Sequence, residues 1–303
     1  MTGPLRRRLA LVWLGLLAAG AFATPWLPLP DPAALDAAHR LAPPGWWRAP
    51  FLGTDPLGRD LLARCLAGAR VSLVVGLLAT AVALVVGVPW GAVAGLAGGR
   101  TDRTMMRLAD ALDSVPLVVV VLFLLSLFQG HEETLAAFGI GRLQFFFVAV
   151  GFLFWIPTAR LARAETLRLA RRPFLDAARA AGSPPQRTLA RHVLPNLLPV
   201  TGVMLVLTLP RVVLMEAFLS FLGLGVEPPR VSWGILAAEG LGALNPLVDS
   251  WWLIVVPGAF LTLTLWALDG LRPAGAPRSS WRSRPRKTEE ESVGSPTAAR
   301  REG

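Results

Sequence analysis

The chain of 303 residues is 53% hydrophobic and 17% charged, against roughly 25% charge in an average soluble protein. Its net charge of +10 comes from 30 Lys and Arg against 20 Asp and Glu. So thin a charge argues against a nucleic-acid binder, which needs a dense basic face, and the mean hydropathy of +0.53 points to a membrane protein.

Arg6, Arg7 and Arg8 precede an apolar run from Leu9 to about Leu29. Ala21-Phe22-Ala23 imitates a signal-peptidase site. The run therefore reads either as a cleaved signal or as an uncleaved first span, and the spans that follow favour the second. Asp55 is placed to cap a helix whose first position is Pro56. From there Leu61, Leu62, Cys65, Leu66 and Ala69 form an apolar stripe at helical spacing, with Arg59, Asp60 and Arg64 around it. This predicts an interfacial helix leading into a second span, with Cys65 an ordinary apolar member of the stripe.

Five further apolar segments follow. The first is Val71 to about Ala97, whose Gly87, Gly91, Gly95 and Gly98 suit close helix packing. Val115 to Phe128 is short for a core of ~30 Å, which takes about 20 residues, so it is expected to borrow turns from Leu108 onward. Phe145 to Ala159, Leu197 to Leu222 and Trp251 to Leu268 complete an all-α, polytopic chain of six spans.

Six spans place both termini on one side, and the positive-inside rule says which. With the N-terminus cytoplasmic, the inner pieces hold Arg6 to Arg8 and Arg100, Arg103 and Arg107. They also hold eight arginines between positions 160 and 191 and eight basic residues after position 271. Outer loops hold seven, and Arg211 alone lies within a span. Both termini are thus expected in the cytoplasm of a bacterium or archaeon, with the chain multi-pass in its inner membrane. Three parts are expected: 1–70, with the first span and the interfacial helix; 71–271, the five-span core with a loop at 171–195; and a tail at 272–303. The tail is rich in Pro, Ser, Arg and Glu and reads as disordered. Its stretch Arg282 to Lys287 is either a solvated tail or a contact for anionic lipid.

Familiar catalytic motifs are missing. Cys65 is the only cysteine, and His39, His131 and His192 are far apart, so neither a disulfide nor a metal site is expected. The single lysine, Lys287, follows Arg286, which excludes a P-loop, and position 284 is Arg, which excludes Ser-x-x-Lys. No catalytic residue, cofactor or metal is expected.

The loop between spans four and five is more informative. Pro173 suits a first helical position and Gly182 a C-terminal cap, with two turns between. Ser183 and Gln186 then stand at capping-box spacing, opening a second helix that runs to Pro195 and into span five. Four alanines leave the short helix thin, while Phe174 and Leu175 offer an anchor to another protein's pocket. The same pattern fits an amphipathic helix lying on the membrane.

Span five carries the charges at depth. Arg211 and Glu216 stand about 140° apart around a helix and are poorly placed to pair. Glu216 either lines a path or pairs with another span. Beyond it, Gly223, Gly225, Pro228 and Pro229 break the helix. They predict either a re-entrant element ending near Trp233, part of an outer gate, or an ordinary loop anchored by Trp233, Trp251 and Trp252.

Asp176-Ala177-Ala178, three residues, Gly182, nine residues, His192 and then Val193-Leu194-Pro195 resembles the EAA loop of ABC importer permeases. Asp176 stands where Glu is usual. Gly53-Thr54-Asp55-Pro56-Leu57-Gly58-Arg59-Asp60, continuing through Gly68-Ala69-Arg70-Val71-Ser72-Leu73, resembles the segment before span two of the dipeptide, oligopeptide and nickel branch. Ser220-Phe221-Leu222-Gly223-Leu224-Gly225-Val226-Glu227-Pro228-Pro229, then Ser232-Trp233-Gly234, resembles that branch's signature after span five. The resemblance covers about residues 1 to 271 and fails after Arg272, where the family's acidic ending is replaced by the tail.

The resemblance implies a permease subunit of an ATP-binding-cassette importer, moving di- or oligopeptides, with nickel as the alternative cargo. Its implied partners are a second homologous permease, two ATPase subunits, an extracytoplasmic binding protein and membrane lipid, with no nucleic acid. Phe174, Leu175, Asp176, Ala177, Ala178, Gly182, His192, Leu194 and Pro195 would couple to the ATPase. Glu216, Ser220, Gly223, Gly225 and Trp233 would line a path or gate. The outer face of the segment before span two would help receive the binding protein. A polytopic membrane enzyme, with Arg211 and Glu216 as its polar groups, and an ion-driven secondary transporter are the rival classes.

Overall fold

The computed structural model describes residues 3–45, 50–139, 141–226, 229–244 and 248–272, and it is all helical, with no strand among them. The tail from 273, with Lys287, lies outside the described residues, as do Glu227 and Pro228 of the third motif.

Helix α1, Gly3–Ala23, begins before the three arginines and ends at a short 3-10 turn, Thr24–Trp26, where Pro25 stops the ladder. The first span thus lies further toward the N-terminus than the run Leu9 to Leu29 suggested. Helix α2, Leu61–Ala97, is one unbroken run of 37 residues. At 1.5 Å per residue it is roughly 55 Å long, well beyond a bilayer core. It crosses the expected boundary at 70 without a break. The stripe of Leu61, Cys65 and Ala69, expected at a membrane interface, is sealed inside the protein instead. Asp60, not Asp55, caps this helix, accepting from the Ala63 amide at 2.8 Å.

Helix α3, Gly99–Asp113, and α4, Leu117–Gly130, meet at an angle of 84°. Leu108 therefore belongs to another direction of chain and cannot lengthen α4, contrary to expectation. Pro116 explains the break, because the residue before a proline avoids the helical region. After the short α5, Glu132–Ala137, come α6, Arg142–Leu153, and α7, Trp155–Leu169, bent by 44° about Phe154. A straight helix would drive the Pro157 ring into the Leu153 carbonyl. Among the described residues, four helical runs are long and apolar enough to cross a membrane, and the two bent pairs bring the number to as many as six.

α2 is the spine. Its Gly87, Gly91 and Gly95 face α7: a β-carbon on Gly91 would lie 2.1 Å from the Ala159 carbonyl oxygen, and one on Gly87 2.5 Å from that of Trp155. Gly98, the fourth glycine of the pattern, instead ends the helix with φ +63°. The remaining elements are α8, Pro173–Ala180; α9, Pro185–Thr188; α10, Leu194–Phe221; α11, Trp233–Gly242; and α12, Trp252–Gly270. A π turn, Leu189–Val193, joins α9 to α10 in one run from 185 to 221. Pro195 has no N–H to return, and the wider ladder absorbs the missing bond. The Asn196 side chain donates to the His192 carbonyl oxygen at 2.7 Å.

Candidate functional site

Two clusters lie at opposite ends of α2. At the Ala97 end, α8 runs Pro173–Ala180 with Asp176 in its first turn and Arg179 in its last. It closes as the sequence foretold. Gly182 has φ +75°, its amide donates to the Arg179 carbonyl, and the Ser183 amide reaches back to Ala178 at 3.0 Å. Both bonds satisfy carbonyls that a helix end leaves open. Ser183 does not cap the next helix, however. Pro184 holds that position, with no side-chain bond, and the Ser183 hydroxyl pairs with Thr188 at 3.1 Å.

The two expected anchors separate. Leu175 is fully buried in this chain's own core, against Val88, Ala92, Val193 and Leu197, and cannot fill a pocket elsewhere. Phe174 is 41% exposed. Asp176, Ala177, Gly182 and Pro195 are exposed, and Ala178, His192 and Leu194 half-buried. Asp176 meets Arg179 at 3.2 Å with both in solvent, a pairing of little energetic consequence. α8 is thus a short helix pinned by one leucine, with a phenylalanine and an alanine surface turned outward.

Arginines surround it. Arg171, Arg172, Arg187 and Arg191 are exposed. Nearby, Arg163 of α7 grips Asp102 of α3 at 2.5 and 2.6 Å, and Arg160 spans Asp110 and Asp113 at 2.8 and 2.9 Å. The bond from the Arg163 guanidinium holds the Asp102 carboxyl below the usual carboxylate range.

At the Leu61 end the polar groups are inside. Glu216 of α10 is fully buried. The Ser72 hydroxyl of α2 donates to one carboxyl oxygen at 2.8 Å and the Ser220 hydroxyl to the other at 2.8 Å. Ser232 caps α11, accepting from the Ile235 amide at 3.5 Å. Glu216 therefore fastens α10 to α2 and does not face open space in this chain. Gly225 closes the chain over it, since a β-carbon there would meet the Ser220 hydroxyl at 2.1 Å. Gly223 has φ +77° and makes the turn that permits this.

α11 is a short helix wedged into the bundle. Gly234 lies against the Ala217 backbone and Gly240 against that of Leu253. Trp233 is 1% exposed and donates its indole N–H to the Cys65 carbonyl oxygen at 3.1 Å, so it is a core residue and not a membrane anchor. Trp252 is likewise buried, donating to the Thr54 carbonyl at 3.1 Å, while Trp251 is exposed.

A third group was not foreseen. Asp55 does not cap a helix; it holds a turn, accepting from the amides of Leu57 and Arg59 at 2.8 and 3.0 Å. Its second oxygen receives Arg59 at 2.6 Å and Arg64 at 2.7 Å. Both arginines continue to Glu239 of α11, at 3.1 and 2.6 Å. The second motif is thereby tied to the element after the third. Glu239 is the residue sequence reading missed. Its signal was an acid in a segment whose partner, Arg64, sat unmatched in an apolar stripe. Ser72 was quoted only within a motif, because nothing local in sequence joins it to Glu216.

The family described as binding-protein-dependent transport system inner membrane component matches residues 87–278. An oligopeptide transport system permease protein of Haemophilus influenzae is 38% identical over 232 residues, covering 75% of this chain and 70% of the relative. A dipeptide transport system permease protein of Bacillus subtilis is 36% identical over 232 residues, 75% of this chain and 68% of its own. A putative peptide transport system permease protein of Brucella suis is 34% identical over 278 residues, covering 89% and 87%.

Proposed function

Since the chain belongs to the family of binding-protein-dependent transport system inner membrane components, we propose that it is a permease subunit of an ATP-binding-cassette importer that carries di- or oligopeptides. It is a transport component, with ATP hydrolysed on a separate subunit. The cargo reading is supported by the names of its relatives, which are oligopeptide and dipeptide permeases. In the working assembly this chain pairs with a second, homologous permease, two ATPases and an extracytoplasmic binding protein. It lies in the inner membrane with both termini cytoplasmic.

The observation that carries the mechanism is the split between Leu175 and Phe174. Leu175 ties α8 to the core beside Val193 and Leu197, and Phe174 is left for a partner. A push on α8 reaches α10 through that leucine, because Val193 and Leu197 stand at the joint and the start of α10. The surface of Phe174, Asp176, Ala177, Ala178 and Gly182 is the ATPase dock, and His192, Leu194 and Pro195 form the joint behind it. At the far end of α10, Glu216 holds α2 through Ser72, and Gly234 of α11 packs against the Ala217 backbone. Motion of α10 is thereby passed to the outer element of Gly223, Gly225 and Trp233, which serves as the gate.

The test is reconstitution of the complete complex in vesicles with its binding protein. ATP-dependent uptake of a labelled tripeptide, competed by other short peptides and not by nickel, is the expected outcome. Uptake of nickel alone, or peptide uptake that survives ATP depletion, would overturn the reading.

A further inference from the structure

Arg211 is the charge that the mechanism above leaves unused. It lies within α10 and is exposed, and among the described residues it has no ion-pair or hydrogen-bond partner. Its exposure continues along one face: Leu214, Phe218 and Phe221 follow at helical spacing and are each more than a third exposed. The opposite face, with Val212, Val213 and Glu216, is buried.

Its depth gives this meaning. The apolar run from Leu197 to Leu222 is longer than a bilayer core requires. Any stretch of about 20 residues taken from that run holds Arg211 at least five residues, roughly 7 Å, from its nearer end. An arginine at that depth does not face hydrocarbon; it faces protein or water. Glu216 does not neutralise it, since Glu216 points into the core and is held by hydroxyls.

We propose that Arg211 lines the translocation path and holds the C-terminal carboxylate of the peptide in transit, an inference that rests on the peptide-permease reading above. A guanidinium matches a carboxylate with two parallel N–H bonds, and a peptide of any sequence presents one such group at its end. The contact therefore recognises the class of cargo without selecting its side chains. The flanking Leu214 and Phe218 give the same face an apolar wall for the rest of the chain.

The experiment uses the whole complex in vesicles and compares one peptide with its C-terminal amide. In Arg211→Gln, uptake of the free acid falls about tenfold, the scale of one lost charged hydrogen bond, while uptake of the amide is unchanged. Arg211→Lys recovers part of the preference for the acid. Because the binding protein is the same in each case, its own selectivity cancels. Equal losses for acid and amide, or no loss for either, would overturn the proposal, as would failure of Arg211→Gln to assemble with the second permease.

A second measurement does not depend on amide uptake. Cys65 is fully buried, so Arg211→Cys supplies the reactive thiol. A charged, membrane-impermeant thiol reagent modifies it, and peptide slows the reaction. A thiol that stays unmodified in the assembled complex shows a protein contact and refutes the path. Absence of peptide uptake by the unmodified complex is a different result, which strikes the proposed function and not this residue.

Discussion

At one end of α2, Asp55 and Arg64 are buried and bonded to each other, Arg64 is bonded also to the half-buried Glu239, and Glu216 is enclosed with Ser72 and Ser220. At the other end, Arg171, Arg172 and Arg187 stand in solvent around a helix held by one leucine. The two ends meet charge in opposite ways. Buried ions bonded to partners on several elements fix geometry. Exposed ions fix little and remain available to another surface. The Leu61 end of α2 is thus built to keep its shape, and the Ala97 end leaves its charges in solvent.

The largest effect should come from breaking the Leu61 end. Arg64→Met removes a guanidinium, 2% exposed, from the nearly buried Asp55. Asp55 keeps Arg59 and two amides, so we expect a loss of about 3 kcal/mol, the scale for lost hydrogen bonds between charged groups, read as a lower unfolding midpoint of the purified chain. An unchanged midpoint would mean that the buried network adds no rigidity, and the contrast between the ends would fail.

The Ala97 end should respond to one residue and ignore its neighbour. Leu175→Ala costs about 2 kcal/mol, as for a leucine truncated in a core, and speeds amide exchange in residues 173–188. Phe174→Ala leaves exchange unchanged and weakens capture of the ATPase about tenfold, as an interface anchor does. The reverse pattern would assign the two side chains the wrong way round.

Such a division could not be read from Pro173-Phe174-Leu175. Both apolar residues fit a pocket, and only the helix's rotation against α2 and α10 decides which one turns inward. The loop's local grammar was legible because it is local: Pro173 opens α8, and Gly182 closes it with a positive φ. The spans were legible as apolar runs, but proline hid their angles. Pro116 and Pro157 turned two expected spans into bent pairs, and the arginines expected outside α1 lie within it. Glu239 escaped because its partners are about 180 positions away, and no periodicity spans such a gap.

Gly182→Ala sharpens the contrast at a smaller scale. A β-carbon there meets nothing within 4 Å, so strain alone acts. A left-handed residue other than glycine costs roughly 1 kcal/mol. We expect a slight loss of helicity in α8 and reduced ATPase capture, with the Leu61 end unaltered in exchange.

The smallest effect is electrostatic. Asp102 titrates below its ordinary value because Arg163 bonds its carboxylate. Its contribution is therefore complete above the unfolded value of about 3.9 and disappears as pH falls through the lower folded value. Acid titration should loosen α3 from α7 in that window, and Asp102→Asn should abolish the dependence. A loosening at neutral pH would contradict it.

The glycine seam of α2 also bears on how the chain is made. α2 is hydrophobic enough to enter a bilayer as soon as it is synthesised, whereas its partner α7 is completed only after Leu169. In that interval Gly87, Gly91 and Gly95 present bare backbone to lipid, with no neighbour of matching shape. Nascent α2 therefore waits as an inserted but unpaired helix. The bulk of α7, arriving later, supplies the fit that selects its one docking register.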